Sequence, residues 1–242
     1  TAERLLSFYE RSEGRLNFSV KANRLLTHEI GTDWQVAAKD FKEALKPLNE
    51  KERLSAVLFQ LPESFHYTND NRIYLAKLIA EFEGFPVMVE FRHKEWIRES
   101  VFEGLEMRKS GIVFCDMPMC HLAQMSIISN YANGAKRRMP QLKNLPDGTV
   151  MKTPFIGSSA YIRLHGRNEG AWYTAGESLN GSARYCYDYS DEELAQFVPI
   201  IKQAKREGKK VQVYFNNHPN GSGAKNAISL KKMIVMDETG GK

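Results

Sequence analysis

Six short apolar runs, separated by helical patterns, constrain the fold of this chain more than any other feature. The runs are rich in Val, Ile, Phe and Tyr, and they occupy residues 17–22, 55–61, 85–92, 111–116, 160–166 and 210–217. Each run is almost continuously apolar, which is typical of strands that are covered on both faces. Strands that alternate with helices predict βα units and a parallel sheet, so we expect either a barrel or a doubly wound sheet.

Helix signals fill the segments between the runs. The predicted helices are residues 1–12, 34–48 behind a cap at Thr32 or Asp33, 69–82, 96–111 with Gly111 as the C-cap, 194–208, and about 223–236. Ser190 and Glu193 form a capping box ahead of the fifth helix. No G-x-G-x-x-G or Walker loop follows any run, which argues against the usual nucleotide-binding sheets.

The length suits one large domain or two small ones, and the 42% of apolar residues provide a sizeable core. We expect a single βα-barrel domain over residues 1–242. Two stretches, at about 117–158 and 166–189, are expected to be long loops, apart from a short helix over 121–129. Loops of this length in a compact domain are usually functional or mobile.

The composition also limits the setting in which the protein works. No apolar run has the length of a membrane span, so no membrane partner is expected. The three cysteines, Cys115, Cys120 and Cys186, fit no zinc or redox spacing, and a reducing cytoplasm is the default interpretation. The net charge of +5 mildly favours anionic partners.

Each of the six runs begins apolar and ends polar. The polar residues at or just beyond the run ends are Lys21, His28, Gln60, Glu90, Arg92, His93, Asp116, Arg163, His165, Arg167, Asn216 and Asn217. In a parallel αβ barrel the functional site lies at the carboxyl ends of the strands. Residues i and i+2 share a face of a strand, so Glu90 should lie beside Arg92, and Arg163 beside His165.

Structural roles are open for the same residues. Glu90 can form a buried ion pair with Arg92 or Arg163 instead of meeting a ligand. His93 and His28 can serve as loop or helix-cap residues. Asn216 and Asn217 can satisfy the backbone groups of a loop.

The strand ends also resemble a known family. The segments FSVKANRLLTH, VLFQLPESF, VEFRHKEW, YIRLHGRNEGAWY, YSDEEL and VYFNNHPNGSGAKNA are similar to the signature segments of the YecE-like family, or domain of unknown function 72. The resemblance implies a TIM (β/α)8-type barrel, in a family whose biochemical activity is not established. Because members normally begin with a further strand, a helix and a second strand, it also implies that one or two N-terminal βα units are missing here.

The sequence supports two main functional hypotheses. In the first, an enzyme with acid–base chemistry acts on a phosphate-containing or nucleic-acid substrate. Lys21, Arg92, Arg163 and Arg167 hold the anion, since guanidinium groups suit phosphate or carboxylate. Glu90 or Asp116 is the base, and His165 is the acid or base.

In the second hypothesis the chain is a non-catalytic binding module for nucleic acid or an anionic small molecule. Trp172 and Tyr173 would add stacking surfaces to the arginines. These two aromatics are expected either in a mobile lid with hinge glycines or as fixed core anchors. A protein-interaction role for the long loops is a third alternative. No metal site is assigned and a divalent metal is not favoured, because no H-E-x-x-H or comparable spacing is present.

Overall fold

The computed structural model describes residues 1–118, 155–174, 181–218 and 220–239. Its strands are β1 (Phe18–Lys21), β2 (Leu54–Leu61), β3 (Val87–Phe91), β4 (Gly111–Asp116), β5 (Ser159–Leu164) and β6 (Lys210–Phe215). All neighbouring strands are parallel and follow one another in chain order, from β1 to β6. This order confirms the predicted α/β fold of the TIM-barrel type, because a doubly wound sheet reverses its strand order.

The described residues form eight α-helices: α1 (Ala2–Arg11), α2 (Trp34–Glu50), α3 (Asn69–Glu81), α4 (Glu99–Met107), α5 (Glu169–Thr174), α6 (Asp191–Ala195), α7 (Val198–Arg206) and α8 (Ser222–Thr239). Three short 3₁₀ helices cover Arg24–Leu26, Lys94–Trp96 and Gly181–Tyr185. Among these residues, no helix is both long and apolar enough to cross a membrane.

Two helices differ from the sequence prediction. Helix α4 ends at Met107 rather than at Gly111, because Lys109 adopts a left-handed φ of 54° and the chain enters β4 at Gly111. The helix predicted from 194 to 208 is divided between α6 and α7, and Pro199 lies in the first turn of α7. Proline lacks the backbone N–H that a continuous helix requires there.

Of the two predicted long loops, the structure describes a part of one and only the ends of the other. The stretch 166–189 contains α5 and the 3₁₀ helix Gly181–Tyr185, so a part of it is helical. Residues 119–154, with the helix expected over 121–129, lie outside the described residues.

The chain forms two compact units, Thr1–Ile112 and Val113–Lys242. In the first, β2 and β3 are almost completely buried, and the core contains Leu45, Leu48, Phe59 and Phe82. The rings of Phe59 and Phe82 meet edge to face, with centroids 5.1 Å apart. The runs of β2 and β3 are therefore buried strands, as their composition predicted. The same prediction is wrong for β1 and β6, which lie at the two ends of the strand order and are only partly buried.

The second unit has its own core. Buried side chains of β4, β5, α6, α7 and α8 meet there: Phe114, Ile162, Leu164, Leu194, Ile200, Ile201 and Leu230. Cys115 is fully buried, in agreement with its apolar surroundings in the sequence. All six residues of β5 are buried, including Arg163, which is only 9% exposed.

Candidate functional site

The carboxyl ends of β1, β2 and β3 bring four predicted site residues together in the first unit. Lys21, the last residue of β1, donates a hydrogen bond from Nζ to Oε1 of Gln60 at 2.7 Å. Gln60 lies opposite Glu90 in the parallel pairing of β2 with β3. Arg92 follows β3 and donates from Nε to Oε1 of Glu90 at 3.2 Å. The alternation argument for Glu90 and Arg92 is thus confirmed.

The Glu90–Arg92 contact is a buried ion pair. The Glu90 side chain is 0% exposed and that of Arg92 is 12% exposed. A buried carboxylate is stable only when it is paired and hydrogen-bonded, so Arg92 stabilises the ionised form of Glu90. Arg92 is thus one of the two partners that the sequence allowed for Glu90. The catalytic role of Glu90 and the ligand role of Arg92 stay predictions.

His28 lies in the loop after β1, where Thr27 Oγ1 is 2.8 Å from its Nδ1. Partial burial lowers the pKa of His28 below its usual 6.5, and the positive charges of Lys21, Arg24 and Arg92 lower it further. The charge of Glu29 acts in the opposite direction but does not reverse the shift. Burial and the three neighbouring cations therefore both disfavour the protonated form of His28.

A second polar cluster of the first unit consists of His66, His93 and Glu95. His93 Nδ1 accepts a hydrogen bond from the backbone N–H of Glu95 at 3.3 Å and so caps the Lys94–Trp96 turn, one of the two roles expected for it. The rings of His66 and His93 are 4.6 Å apart between centroids. Sequence reasoning missed His66 and Glu95. The signal was that a histidine follows each of the adjacent strands β2 and β3.

The second unit holds a hydrogen-bonded network around Asp116, at the end of β4. Asp116 Oδ2 accepts from Arg167 Nε and from the hydroxyl of Tyr189, each at 2.8 Å. Arg167 also donates from a terminal nitrogen to Oε1 of Glu193 at 3.2 Å. Burial by itself lowers the pKa of Arg167, but Asp116, Tyr189 and Glu193 raise it overall, so the guanidinium stays charged.

The predicted capping box is confirmed, and it joins this network. Ser190 and Glu193 make both reciprocal hydrogen bonds at the start of α6. Glu193 Oε1 also accepts from the hydroxyl of Tyr187 at 2.5 Å. Burial, followed by this hydrogen bond, raises the pKa of Tyr187. The tyrosines and Glu193 were not identified from the sequence as site residues.

Gly166 connects β5 to this network at a position that requires glycine. Its φ is +99°, and a Cβ at this position would lie 2.5 Å from Cβ of Tyr187. Its N–H donates to the hydroxyl oxygen of Tyr189 at 2.8 Å. The backbone N–H of His165 donates to the carbonyl of Asp116 at 3.0 Å. The end of β5 is thereby fixed against the end of β4.

Arg163 and His165 are buried in the second unit, with 9% and 0% exposure. In the parallel pairing Arg163 lies opposite Cys115 of β4 and Tyr214 of β6. The ring of His165 lies 5.8 Å from that of Tyr185. The prediction that both face a ligand stays a prediction.

Trp172 is only 5% exposed, and its ring meets that of Tyr185 edge to face at 5.9 Å. The Arg184 guanidinium lies 5.7 Å from the centroid of the indole ring. These contacts favour the fixed-anchor interpretation of Trp172 over the lid. Tyr173 belongs to α5, but its side chain is outside the described part of the structure.

The two predicted asparagines make backbone and side-chain contacts within the second unit. Asn217 Nδ2 donates to the carbonyl of Tyr187 at 3.0 Å and to Oδ1 of Asn226 at 2.7 Å. The backbone N–H of Asn216 donates to the carbonyl of Leu164 at 2.8 Å. Asn217 therefore has the loop-supporting contacts that the sequence allowed as an alternative. Ligand binding by either residue stays a prediction.

Parallel strands in chain order, with polar residues at their carboxyl ends, define a TIM-barrel-like α/β protein. The family model for the protein of unknown function DUF72 matches residues 1–240, and the chain belongs to this family. This match confirms the resemblance carried by the strand-end segments.

Individual relatives agree with this assignment. The chain is 24% identical over 205 residues to UPF0759 protein YunF of Bacillus subtilis (strain 168), an alignment covering 83% of this chain and 64% of YunF. The chain therefore spans a little less than two thirds of the length of that relative. A DUF72 family protein from Thermotoga maritima MSB8 superimposes with a TM-score of 0.75 and 29% identity, over 97% of this chain and 80% of that chain.

A DUF72 family protein from Enterococcus faecalis V583 superimposes with a TM-score of 0.71 and 23% identity, over 97% of this chain and 80% of that chain. At this level of identity the likeness concerns the fold alone.

Proposed function

We propose that this chain binds an anionic small molecule at the carboxyl ends of β1, β2 and β3. One observation carries the proposal: Lys21 and Arg92 lie at the carboxyl ends of neighbouring parallel strands, at Lys21 of β1 and directly after β3. Together with burial and Arg24, they lower the pKa of His28. Lys21 and Arg92 are also placed by hydrogen bonds to Gln60 and Glu90. Phosphate, sulfate and carboxylate groups are the ligands that such a group of cations favours.

The contacts suggest how the anion is held. Lys21 is exposed and its ammonium is held by Gln60 at the end of β1, while Arg92 is half-buried and oriented by Glu90. An oriented guanidinium can donate two parallel hydrogen bonds to one anion, and an ammonium adds a point charge. An anion near His28 also stabilises its protonated form, which then becomes a further donor.

Catalysis is the finer part of this proposal. Glu90 is the general base that we propose for a phosphate-containing substrate at the ends of β1–β3. Asp116 is less suited to that role, because Arg167 and Tyr189 already donate to its Oδ2. The alternative is a binding module for nucleic acid or a small anion, in which Glu90 only orients Arg92. The 3.2 Å ion pair and the complete burial of Glu90 favour that alternative.

Thermal unfolding in the presence of phosphate or sulfate tests the binding proposal. At a ligand concentration of 100 times Kd, binding stabilises the folded state by about 2.7 kcal/mol. For a domain of this size the melting temperature then rises by roughly 5–10 °C. The rise should saturate, and chloride at equal ionic strength should not reproduce it, because screening alone has no binding site to fill.

The matched variants are Lys21→Met and Lys39→Met. Both remove one positive charge, but Lys39 is an exposed residue of α2. Lys39→Met should keep the saturating response of the wild type, and Lys21→Met should lose most of it. Equal responses of the two variants would show that the anion does not bind at the β1–β3 ends.

A further inference from the structure

His66, His93 and Glu95 form a cluster of metal-ligating side chains beside the anion site. His66 follows β2 and His93 follows β3, and these two strands are paired in parallel. Their carboxyl ends therefore adjoin, and both histidines reach the same edge of the sheet. This cluster is separate from the Glu90–Arg92 pair, although Arg92 directly precedes His93.

The distances within the cluster suit a metal ion. One ligand atom from each of the three residues lies within 4.8 Å of the other two. His93 Nδ1 is 3.7 Å from Oε2 of Glu95. Metal–ligand bonds of about 2.0–2.2 Å in a tetrahedral site place neighbouring ligand atoms about 3.4 Å apart. Side-chain movements of about 1 Å therefore bring the three ligand atoms to the separations of a metal site.

The lone pair of His93 Nδ1 takes part in a long hydrogen bond. It accepts the backbone N–H of Glu95 at 3.3 Å, at the long end of hydrogen-bonding distances. Oε2 of the same glutamate lies 3.7 Å from Nδ1. A cation bound between Nδ1 and Oε2 replaces this single hydrogen bond with two coordination bonds.

The two loops that supply the ligands are fixed to each other. Trp96 Nε1 donates to the carbonyl of Phe65 at 2.6 Å in a buried hydrogen bond. The rings of Phe65 and Trp96 also stack, with centroids 5.3 Å apart and planes at 16°. Phe65 is adjacent to His66, and Trp96 is adjacent to Glu95, so these contacts hold the ligand atoms near one another before any ion binds.

The backbone of the His66 loop is fixed as well. The N–H of His66 donates to the carbonyl of Ser64 at 3.0 Å. Its carbonyl accepts from Thr68 N at 2.9 Å and from Asn71 Nδ2 at 2.8 Å. The exposed imidazole is thus presented by a hydrogen-bonded turn, and solvent gives an ion direct access to it.

We propose that His66, His93 and Glu95 bind a divalent first-row transition ion such as Zn²⁺ or Co²⁺. Two imidazoles and one carboxylate select such ions over Mg²⁺ and Ca²⁺, which prefer ligand sets made of oxygen. Three protein ligands leave at least one coordination position open, as in catalytic zinc sites. The proposal does not rest on anion binding at β1–β3.

Metal titrations of the full chain test this site. After treatment with a chelator, the wild type should bind one Zn²⁺ per chain in competition with a chromophoric chelator. Co²⁺ should give the visible absorption of a four- or five-coordinate nitrogen and oxygen site. Mg²⁺ in large excess should leave both signals unchanged. No stoichiometric binding of Zn²⁺ or Co²⁺ at micromolar concentrations would overturn the proposal.

His66→Gln and Glu95→Gln are the informative variants, since both residues are exposed and the fold should tolerate each change. Each should weaken Zn²⁺ binding by ~10-fold or more, because even outer contacts of a metal site contribute 10- to 100-fold. His218→Gln, which removes an exposed histidine of the second unit, is the control and should bind like the wild type. Equal affinities of His66→Gln and His218→Gln would place the ion elsewhere and overturn the proposal. Unchanged circular dichroism confirms that the variants are folded.

Discussion

Replacing Asp116 with asparagine tests whether the Arg167 network stabilises the second unit. Asp116 is 1% exposed, and its Oδ2 accepts from Arg167 Nε and Tyr189 OH at 2.8 Å each. Asparagine keeps the size and shape of the side chain but removes the charge. The substitution therefore leaves the Arg167 guanidinium, with a side chain 13% exposed, without its most buried carboxylate.

The expected loss of stability depends on the ion pairs that Arg167 keeps in the variant. Removing one partner of a buried ion pair costs about 3–5 kcal/mol, since the other charge remains in a poorly solvated place. Arg167 keeps Glu193 at 3.2 Å, so the lower end of that range applies. A loss of about 3 kcal/mol corresponds to a fall in melting temperature of roughly 6–12 °C for a domain of this size.

Circular dichroism during heating at neutral pH measures the change. Glu43→Gln is the matched control, because it also neutralises one carboxylate but breaks the exposed Lys46–Glu43 pair, whose side chains are 47% and 53% exposed. Such surface pairs contribute about 0–1 kcal/mol, so the control should melt within roughly 4 °C of the wild type. If Asp116→Asn unfolds as the control does, the network is not a main source of stability, and Asp116 regains its predicted catalytic role.

Three further substitutions have defined outcomes. Gly166→Ala should lower the free energy of unfolding by roughly 1–3 kcal/mol, and the melting temperature with it, since φ is +99° and the new methyl group would meet Cβ of Tyr187 at 2.5 Å. An unchanged melting temperature would contradict the observed contact. Trp96→Phe should cost about 1–3 kcal/mol in unfolding free energy, because the buried carbonyl of Phe65 loses its 2.6 Å hydrogen bond; a cost near zero in chemical denaturation would contradict this. His28 has a pKa lowered below 6.5, so its contribution to stability declines as pH falls through 6.5, and sulfate should bind more tightly over the same range because a bound anion raises that pKa. His28→Gln should remove this pH dependence of sulfate affinity, and an identical dependence in the variant would exclude His28.

The fold could be predicted because its signal is local. Each central strand is a short apolar run, and each run is followed by a helical pattern, so order and type of the elements are written in neighbouring residues. The errors in the prediction fall at helix boundaries, because a single residue can determine where a helix ends or begins. Lys109 ends its turn at positive φ without a glycine, and Pro199 restarts a helix that periodicity alone would continue.

The candidate site was predictable only where contacts are local. Glu90 and Arg92 are two positions apart on one strand face, and alternation brought them together. Asp116 and Arg167 are 51 positions apart, and Tyr189 lies a further 22 along the chain from Arg167. No periodicity relates such residues, because their proximity depends on how β4, β5 and α6 pack.

The network of the second unit changes the charge argument made from the sequence. That argument placed Arg167 among the cations that hold an external anion. The structure places Asp116 at 2.8 Å and Glu193 at 3.2 Å from it, so two carboxylates of the chain already surround the guanidinium. A ligand anion would have to compete with both, and the contacts favour a role for Arg167 in holding the ends of β4 and β5 in place.

The case for an anion therefore depends on the first unit. Arg92 has Glu90 at 3.2 Å, yet the charges of Lys21, Arg24 and Arg92 together still outweigh Glu29 at His28. Burial and the neighbouring cations lower the pKa of His28, so this histidine costs the folded protein stability below pH 6.5. An anion that offsets these charges would remove this cost, so the position of His28, rather than the number of arginines at the strand ends, is the main support for the anion site that we propose there.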